Sequence, residues 1–289
     1  MKEPSTITLR ELLTDFYSPL RGISPRTVKI YGFTLGAWGQ FLGTTPAVEH
    51  LEELTVARFL SHRLTQKSVG TAAKDRAQIH ALWEFAARRG LTGPRWPQIR
   101  TIRAPERVPQ CWLADEMVSL LAAASAREGH IAGVPAGRWW RAAVLTAYES
   151  GCRIGELLGV RWADVSPSGV LFKAENRKGG TRDIYRPISP ACYEAIDATR
   201  TARVFVWEWD RCYTNLWRHL GVICAAAGLP DDRMSKFHRI RKTTASFAAA
   251  GGVDAQLLLD HASPTTTRRY LDPRVVVTPS AIDVLPKIG

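Results

Sequence analysis

The sequence predicts a mainly α-helical chain in two domains, with a small antiparallel β-sheet in the second. Three observations carry that reading: apolar residues recur at helical spacing through residues 6–90, prolines interrupt residues 91–110, and two strand-like runs flank a Gly-Gly pair at 179 and 180. A length of 289 residues is enough for two cores of ordinary size. The expected boundaries are a helical domain over 1–92, a basic Pro-rich linker over 93–110 and a mixed α+β domain over 111–289 with a tail over 271–289.

Within the first domain, TITLRELLTDFYSPL, SPRTVKIYGFTLGAWGQFLG, TVARFLSHRLT and SVGTAAKDRAQIHALWEFAARRG each spell a helix. Tyr31, Leu35, Trp38 and Leu42 make one apolar stripe, and Ile79, Leu82, Trp83 and Ala86 another. Ser24 before Pro25 marks a helix start and Gly90 a stop. Arg26, Lys29, Lys67, Lys74 and Arg76 lie opposite the stripes, where charge either solvates a helix or faces a polyanion. The linker LTGPRWPQIRTIRAPERVPQ sets Arg95, Arg100, Arg103 and Arg107 against one Glu, a composition suited to crossing a phosphate backbone.

In the second domain, GVLFKAENRKGGTRDIYRPIS reads as a β-hairpin with Lys178 at its tip. In HASPTTTRRYLD, Ser263 and Pro264 predict a helix start in which the Ser hydroxyl caps free N–H groups, placing Tyr270 about two turns in. Ala281, Val284, Leu285 and Ile288 follow helical spacing in the tail until Pro286 ends it, and so short a stripe is stable only when docked.

Lys and Arg outnumber Asp and Glu by 39 to 27, with 14 against 8 in residues 1–100 and 25 against 19 in the rest. A net charge of +12 spread in this way favours a long polyanion gripped by both halves, nucleic acid ahead of an anionic membrane surface. Cys111, Cys152, Cys192, Cys212 and Cys224 are irregularly spaced, without a CxxC pair. They read as small buried hydrophobes in a reducing compartment, and neither a signal peptide nor a membrane-length apolar run is present, so a cytoplasmic location is expected.

Four stretches hold chemistry, and each alone has an ordinary reading. Arg153 and Glu156 in YESGCRIGELLGVRW suit a local helix ion pair. His238 and Arg241 in FHRIRKTTASFAAAGG suit a basic helix end, Lys178 a solvated turn, and Tyr270 a surface helix with its ring over apolar neighbours. Their combination and order, Arg153, Lys178, His238 with Arg241, His261 and Tyr270, resemble the tyrosine recombinase, or phage integrase, family. GCRIGELLGVRWADV carries the family's arginine box, HRIR its His-x-x-Arg box, and His261 precedes Tyr270 by nine residues as the family's second His precedes its nucleophile. Residues 6–90 resemble the family's helical core-binding domain, so the likeness spans nearly the whole chain.

The resemblance implies a DNA strand-exchange enzyme that closes on duplex DNA as a clamp and stores bond energy in a 3′-phosphotyrosyl link, by way of a Holliday junction. Two arginines can grip nonbridging phosphate oxygens in bidentate fashion, which the resemblance assigns to Arg153 and Arg241. It makes Tyr270 the nucleophile, His238 its base-like partner, His261 a donor to the phosphate and Lys178 the acid for the departing 5′ oxygen. Glu156 orients its neighbours, and Arg268 and Arg269 add positive field beside Tyr270. No cofactor is expected, since GxxxxGK[ST] is missing and no carboxylate cluster suits Mg²⁺.

Double-stranded DNA and four copies of the chain on two duplexes are the implied partners, with the tail docking on a neighbour or on its own domain. The first helix begins near residue 6, which leaves no room for a separate arm-binding domain and suggests a simple recombinase acting on inverted repeats. The rival readings are a type IB topoisomerase-like relaxing enzyme and a non-catalytic DNA-binding descendant. Three departures from the family stand out: Asp260 where Gly usually precedes the second His, a segment from Arg241 to His261 shorter by roughly one helical turn, and Lys242 where His is often seen. Asp260 must then build a left-handed helix end, or that end is remodelled.

Overall fold

The computed structural model describes residues 7–93, 96, 98–177, 179–231, 236–277 and 285–286. The chain divides into two compact units, Met1–Glu106 and Arg107–Gly289. Lys178, Arg95 of the linker, and Ala281, Val284 and Ile288 of the tail stripe lie outside the described residues.

The first unit opens with α1 (Leu9–Glu11), a wider π turn (Leu12–Tyr17) and α2 (Ser18–Arg21). Thr8 starts it by a reciprocal cap, its N–H donating to the Glu11 carboxylate while the Glu11 N–H donates to its hydroxyl. There follow α3 (Pro25–Leu42), α4 (Glu53–Gln66) and α5 (Val69–Ala87). Ser24 and Ser68 cap α3 and α5 through their hydroxyls. Leu9, Leu12, Trp38, Phe59, Ile79 and Leu82 fill one core.

A buried carboxylate crosses that core. Asp75 on α5 accepts from Thr34 on α3 at 2.6 Å and from Arg63 on α4 at 2.8 Å, so one charge is shared by three helices. Lys74 reaches the same carboxylate at 3.0 Å. Arg76 donates to the carbonyls of Ile99 and Arg100, both at 3.0 Å, while Trp96, Ile99 and Ile102 pack on the core. The linker's prolines forbid regular structure, yet its apolar residues dock it on the first unit. Lys74 and Arg76, expected on an outer face, are thus engaged inside the unit, whereas Arg26, Lys29, Lys67, Arg100 and Arg103 are exposed.

The second unit contains α6 (Ala114–Ser125), the strand pair β1 (His130–Ile131) and β2 (Val134–Pro135), α7 (Ala136–Ser150) and α8 (Ile154–Leu158). Then come β3 (Val165–Ser166), β4 (Gly169–Phe172), β5 (Ile184–Pro187), α9 (Pro190–Asp197), α10 (Tyr213–Ala226), α11 (Phe237–Ala250), α12 (Ala255–Leu259) and α13 (Pro264–Arg268). Helix α7 is central: it packs on α6, α9 and α11, and buries Trp139, Trp140, Val144 and Ala147. A Cβ on Gly137 would lie 2.1 Å from the Ser125 carbonyl oxygen, so only glycine permits this crossing of α6 and α7.

Strands β4 and β5 form the expected antiparallel hairpin, with Leu171 opposite Tyr185 and Phe172 opposite Ile184. Strand β3 adds a third member, with Val165 opposite Val170. Two residues carry no visible alternation, which is why the sequence reading has two strands where the sheet has three. Cys212 is exposed, correcting the expectation of five buried thiols; the other four are buried.

Ser263 holds the N-cap position of α13, but its hydroxyl accepts no capping bond, and its carbonyl takes the Thr266 N–H at 3.0 Å instead. Helix α13 ends at Arg268, so Tyr270 stands just beyond a single turn rather than two turns inside a helix. What fixes Tyr270 is the wholly buried Asp272. Its carboxylate accepts from the Cys111 N–H at 2.8 Å and from Arg274 at 2.7 Å, and its own N–H donates to the Ser246 hydroxyl at 2.9 Å. Burial opposes ionisation there, but Arg274 and the backbone N–H groups outweigh it and hold the carboxyl well below its usual range. Asp272→Ala strands the Cys111 N–H and frees the segment after Tyr270, an expected cost of about 1–3 kcal/mol. A lowered denaturant midpoint checks this; an unchanged midpoint contradicts it.

Candidate active site

The site is built where three helix ends meet. Helix α7 terminates at Gly151, whose φ of +63° is left-handed and whose position leaves a side chain only 3.3 Å from Leu259 and Thr244. The chain then turns so that Arg153 precedes α8. There the Arg153 N–H donates to Glu156 Oε2 at 2.7 Å, and its guanidinium meets Oε1 of the same carboxylate at 2.9 Å. Glu156 is buried and meets Arg153 through both its backbone and its side chain. About a third of the Arg153 side chain stays open to solvent, at 32%.

Arg241 differs sharply from Arg153, although the resemblance assigns both to one phosphate clamp. Only 3% of it is exposed, and its guanidinium donates to the carbonyls of Gly151 and of Leu259, the latter at 2.6 Å. Burial, then the neighbouring Arg153, lowers its pKa to about 10, which leaves it charged at neutral pH. The Arg241 guanidinium also lies 5.8 Å from the centre of the Tyr270 ring.

Tyr270 stands between two imidazoles, with ring centres 4.8 Å away at His238 and 4.7 Å away at His261. Its carbonyl accepts from the Ser246 hydroxyl at 3.1 Å, which ties it to α11, the helix that also bears His238 and Arg241. The His238 pKa falls to about 4 through partial desolvation, then through the charges of Lys242, Arg241 and Arg153. His261 is likewise lowered to about 4 by desolvation, then by Arg241, Arg153 and His238. Both rings are therefore neutral near pH 7. Lys242, which the sequence left without a reading, adds a charge that helps to keep His238 neutral.

The tautomer of His261 follows from its partners. Arg241 Nη2, 3.3 Å from His261 Nε2, can only donate, so Nε2 accepts and the proton sits on Nδ1. Nδ1 then donates to the Thr267 hydroxyl at 3.1 Å. Thr267, buried on α13, is thus a partner of His261 that the sequence reading passed over inside its threonine run. The shortened connection from Arg241 still returns His261 to it, because α12 is only five residues long and ends at Asp260 in a left-handed turn with φ 50° and ψ 53°. The helix end usually served by glycine is here built by aspartate.

Asp260 belongs to an ion-pair chain with the hairpin. Arg177 Nη2 lies 2.5 Å and Arg182 Nη2 2.8 Å from its carboxylate, and Arg177 Nε is 3.6 Å from Glu156. Bonds from Arg177 and then Arg182 hold the Asp260 pKa down to about 2. Lys178, next to Arg177 in the chain, lies outside the described residues, as do no other members of the expected catalytic set. Among the described residues, no three His, Cys, Asp or Glu side chains gather as a metal-ligand group.

Comparison with known proteins shows the family and the fold. The profile of the phage integrase family matches residues 112–275, and that of the phage integrase N-terminal SAM-like domain matches 11–90. Tyrosine recombinase XerC of Rhodospirillum centenum is 28% identical over 87% of this chain and 79% of its own length. The same-named protein of Mesorhizobium japonicum is 26% identical over 93% and 91%. In fold, the chain is similar to a lambda integrase dimer bound to a COC′ core site, with a TM-score of 0.72 and 20% identity over 98% of this chain and 81% of that one. It is also similar to a lambda integrase tetramer bound to a Holliday junction, with a TM-score of 0.70 and 22% identity over 94% and 79%. With more than half of its length matched by the catalytic-domain profile, and with Arg153, His238, Arg241, His261 and Tyr270 gathered in one place, the chain belongs to the phage integrase family.

Proposed function

We propose that this chain, a tyrosine site-specific recombinase, cuts and rejoins duplex DNA through a covalent link at Tyr270. The placement of the Tyr270 ring between two neutral imidazoles and beside a buried guanidinium carries the reading. In the cleavage step the Tyr270 oxygen attacks the scissile phosphorus, an O–P bond forms, and the bond to the 5′ oxygen breaks. The phenolic proton passes to His238, which is neutral and able to take it, and the departing 5′ oxygen takes a proton from Lys178. Arg153 and Arg241 hold the nonbridging oxygens as charge builds on them. Rejoining is the reverse step with a 5′ hydroxyl from the second duplex.

His261 enters by exchanging partners. For its Nε2 to donate to a phosphate oxygen, Nε2 takes a proton from solvent and Nδ1 releases its own to solvent, after which the rotated Thr267 hydroxyl donates a hydrogen bond to Nδ1. Arg26, Lys29, Lys67, Arg100 and Arg103 are exposed and suit phosphate contacts by the helical domain and linker. The full assembly is four chains on two duplexes in the cytoplasm, with the tail docking between copies. Among the described residues, no helix is long and apolar enough to cross a membrane.

Tyr270→Phe is expected to bind DNA as wild type does and to form no covalent adduct on nicked duplexes that trap the intermediate; an adduct on a denaturing gel would falsify the assignment. Lys178→Ala should slow cleavage by about 10²–10⁴ and recover on a duplex whose bridging 5′ oxygen is sulfur, since a thiolate leaves unprotonated. Arg153→Ala should not recover, and equal rescue of both variants would exclude Lys178 as the acid. Histidine NMR titration of the free protein should place His238 and His261 near pH 4, and DNA should raise both values. Because these folded values lie below the ordinary 6.5, stability should be lost as pH falls from 6.5 toward 4; values at 6.5 in the free protein would contradict the neutral-site reading.

A further inference from the structure

The hairpin is held by more than its strands. The ladder of β4 and β5 ends at Phe172 opposite Ile184, which leaves residues 173–183 as a long tip containing a Gly-Gly pair. Backbone pairing alone does not fix so long a tip, because each unconstrained residue keeps its conformational freedom. The Ala174 N–H donates to the Asp183 carboxylate and the Asn176 side chain to the Gly159 carbonyl, and Arg177 adds a constraint that reaches another helix. Its side chain is buried, and its guanidinium donates to the Arg182 carbonyl across the tip at 2.7 Å and to Asp260 at 2.5 Å. The Gly180 N–H donates to the Arg177 carbonyl at 3.1 Å, so the same residue anchors the turn through its backbone.

The other end of this contact is the C-terminus of α12. Arg182 bonds the second oxygen of Asp260 at 2.8 Å, and Arg186 donates to the Leu257 carbonyl at 3.4 Å and to that of Leu258. Three arginines of one hairpin therefore grip a helix end, where carbonyls and a carboxylate concentrate negative charge. Asp260 adopts a left-handed conformation, which is unfavourable for a residue with a Cβ. A glycine there would remove that cost and the carboxylate with it, so the aspartate is explained by what it holds.

We propose that Asp260 and Arg177 are positioning residues for proton delivery to the leaving 5′ oxygen: their ion pair pins the hairpin tip to the helix end that precedes His261. The inference rests on the proposed role of Lys178, which follows Arg177 directly in the chain. A displacement near 1 Å in a reacting group can cost about 10²-fold in rate, so loss of the latch should matter although neither residue reacts.

The test uses the full chain and two substrates, a normal duplex and one with sulfur at the bridging 5′ position. Asp260→Asn keeps a residue that tolerates the left-handed turn and loses the charge; Asp260→Gly keeps the turn by another route if Asn folds poorly. Both should bind DNA normally in gel shifts, cleave the normal duplex about 10- to 100-fold more slowly than wild type, and cleave the sulfur duplex nearly as fast. Arg177→Gln should behave alike. Normal cleavage of the oxygen duplex by these variants overturns the proposal, as does slow cleavage of both duplexes, which would place the effect on Arg153 or His261. Lys178→Ala is the control: if sulfur rescues it but not Asp260→Asn, the latch is wrong and the acid assignment stands. If sulfur fails to rescue Lys178→Ala, the acid assignment falls and the latch proposal falls with it.

Discussion

The buried guanidinium of Arg241 is the constraint on which the catalytic unit depends. A cation almost wholly removed from water must be met by fixed acceptors, and here these are the carbonyls of Gly151 and Leu259 and a nitrogen of His261. Those groups come from the end of α7, the end of α12 and the turn that follows it, while Arg241 itself is on α11. Satisfying one side chain therefore brings four stretches of backbone together. The left-handed turn at Gly151 exposes its carbonyl for this purpose, and the short α12 returns the chain in time to deliver His261.

Around that cation the site is rich in positive charge, with Arg153, Arg177, Arg186 and Lys242 nearby and with Glu156 and Asp260 as the counter-charges. Burial first, and then this surplus, keeps both histidines neutral, since each imidazolium would lose hydration and add to a field already positive. The proposed substrate, a phosphate diester, is an anion that complements this charge. Its arrival relieves the repulsion and changes what the imidazoles prefer to do, so substrate binding and proton chemistry are electrostatically linked. The Glu156 carboxylate holds Arg153 partly open, whereas carbonyls keep Arg241 buried, and the two arginines of the proposed clamp differ in exposure for that reason.

The first unit solves a comparable problem without chemistry. Asp75 is buried among α3, α4 and α5 and is met by Thr34, Arg63 and Lys74, so a charged group fixes the mutual placement of helices whose apolar stripes alone would permit sliding. Arg76 then uses its guanidinium on linker carbonyls rather than on solvent. Helical spacing announced that Lys74 and Arg76 lie off the apolar stripe, but not that a buried carboxylate and a docked linker would claim them.

Local physics made much of this protein legible in its sequence. Helical stripes such as Ile79, Leu82, Trp83 and Ala86, caps such as Ser24 with Pro25, and the hairpin around Gly179 and Gly180 are set by neighbours within a few residues. The order of Arg153, Lys178, His238, Arg241, His261 and Tyr270 was legible through its resemblance to the phage integrase family rather than through any one motif. Tertiary structure decided what depends on partners far along the chain: Thr267 setting the His261 tautomer, Ser246 and Asp272 fixing Tyr270, and Arg177 reaching Asp260 across 83 positions. No local pattern encodes these, because a hydrogen bond or ion pair is fixed by distance in space, and only packing of the whole unit brings the two groups within reach.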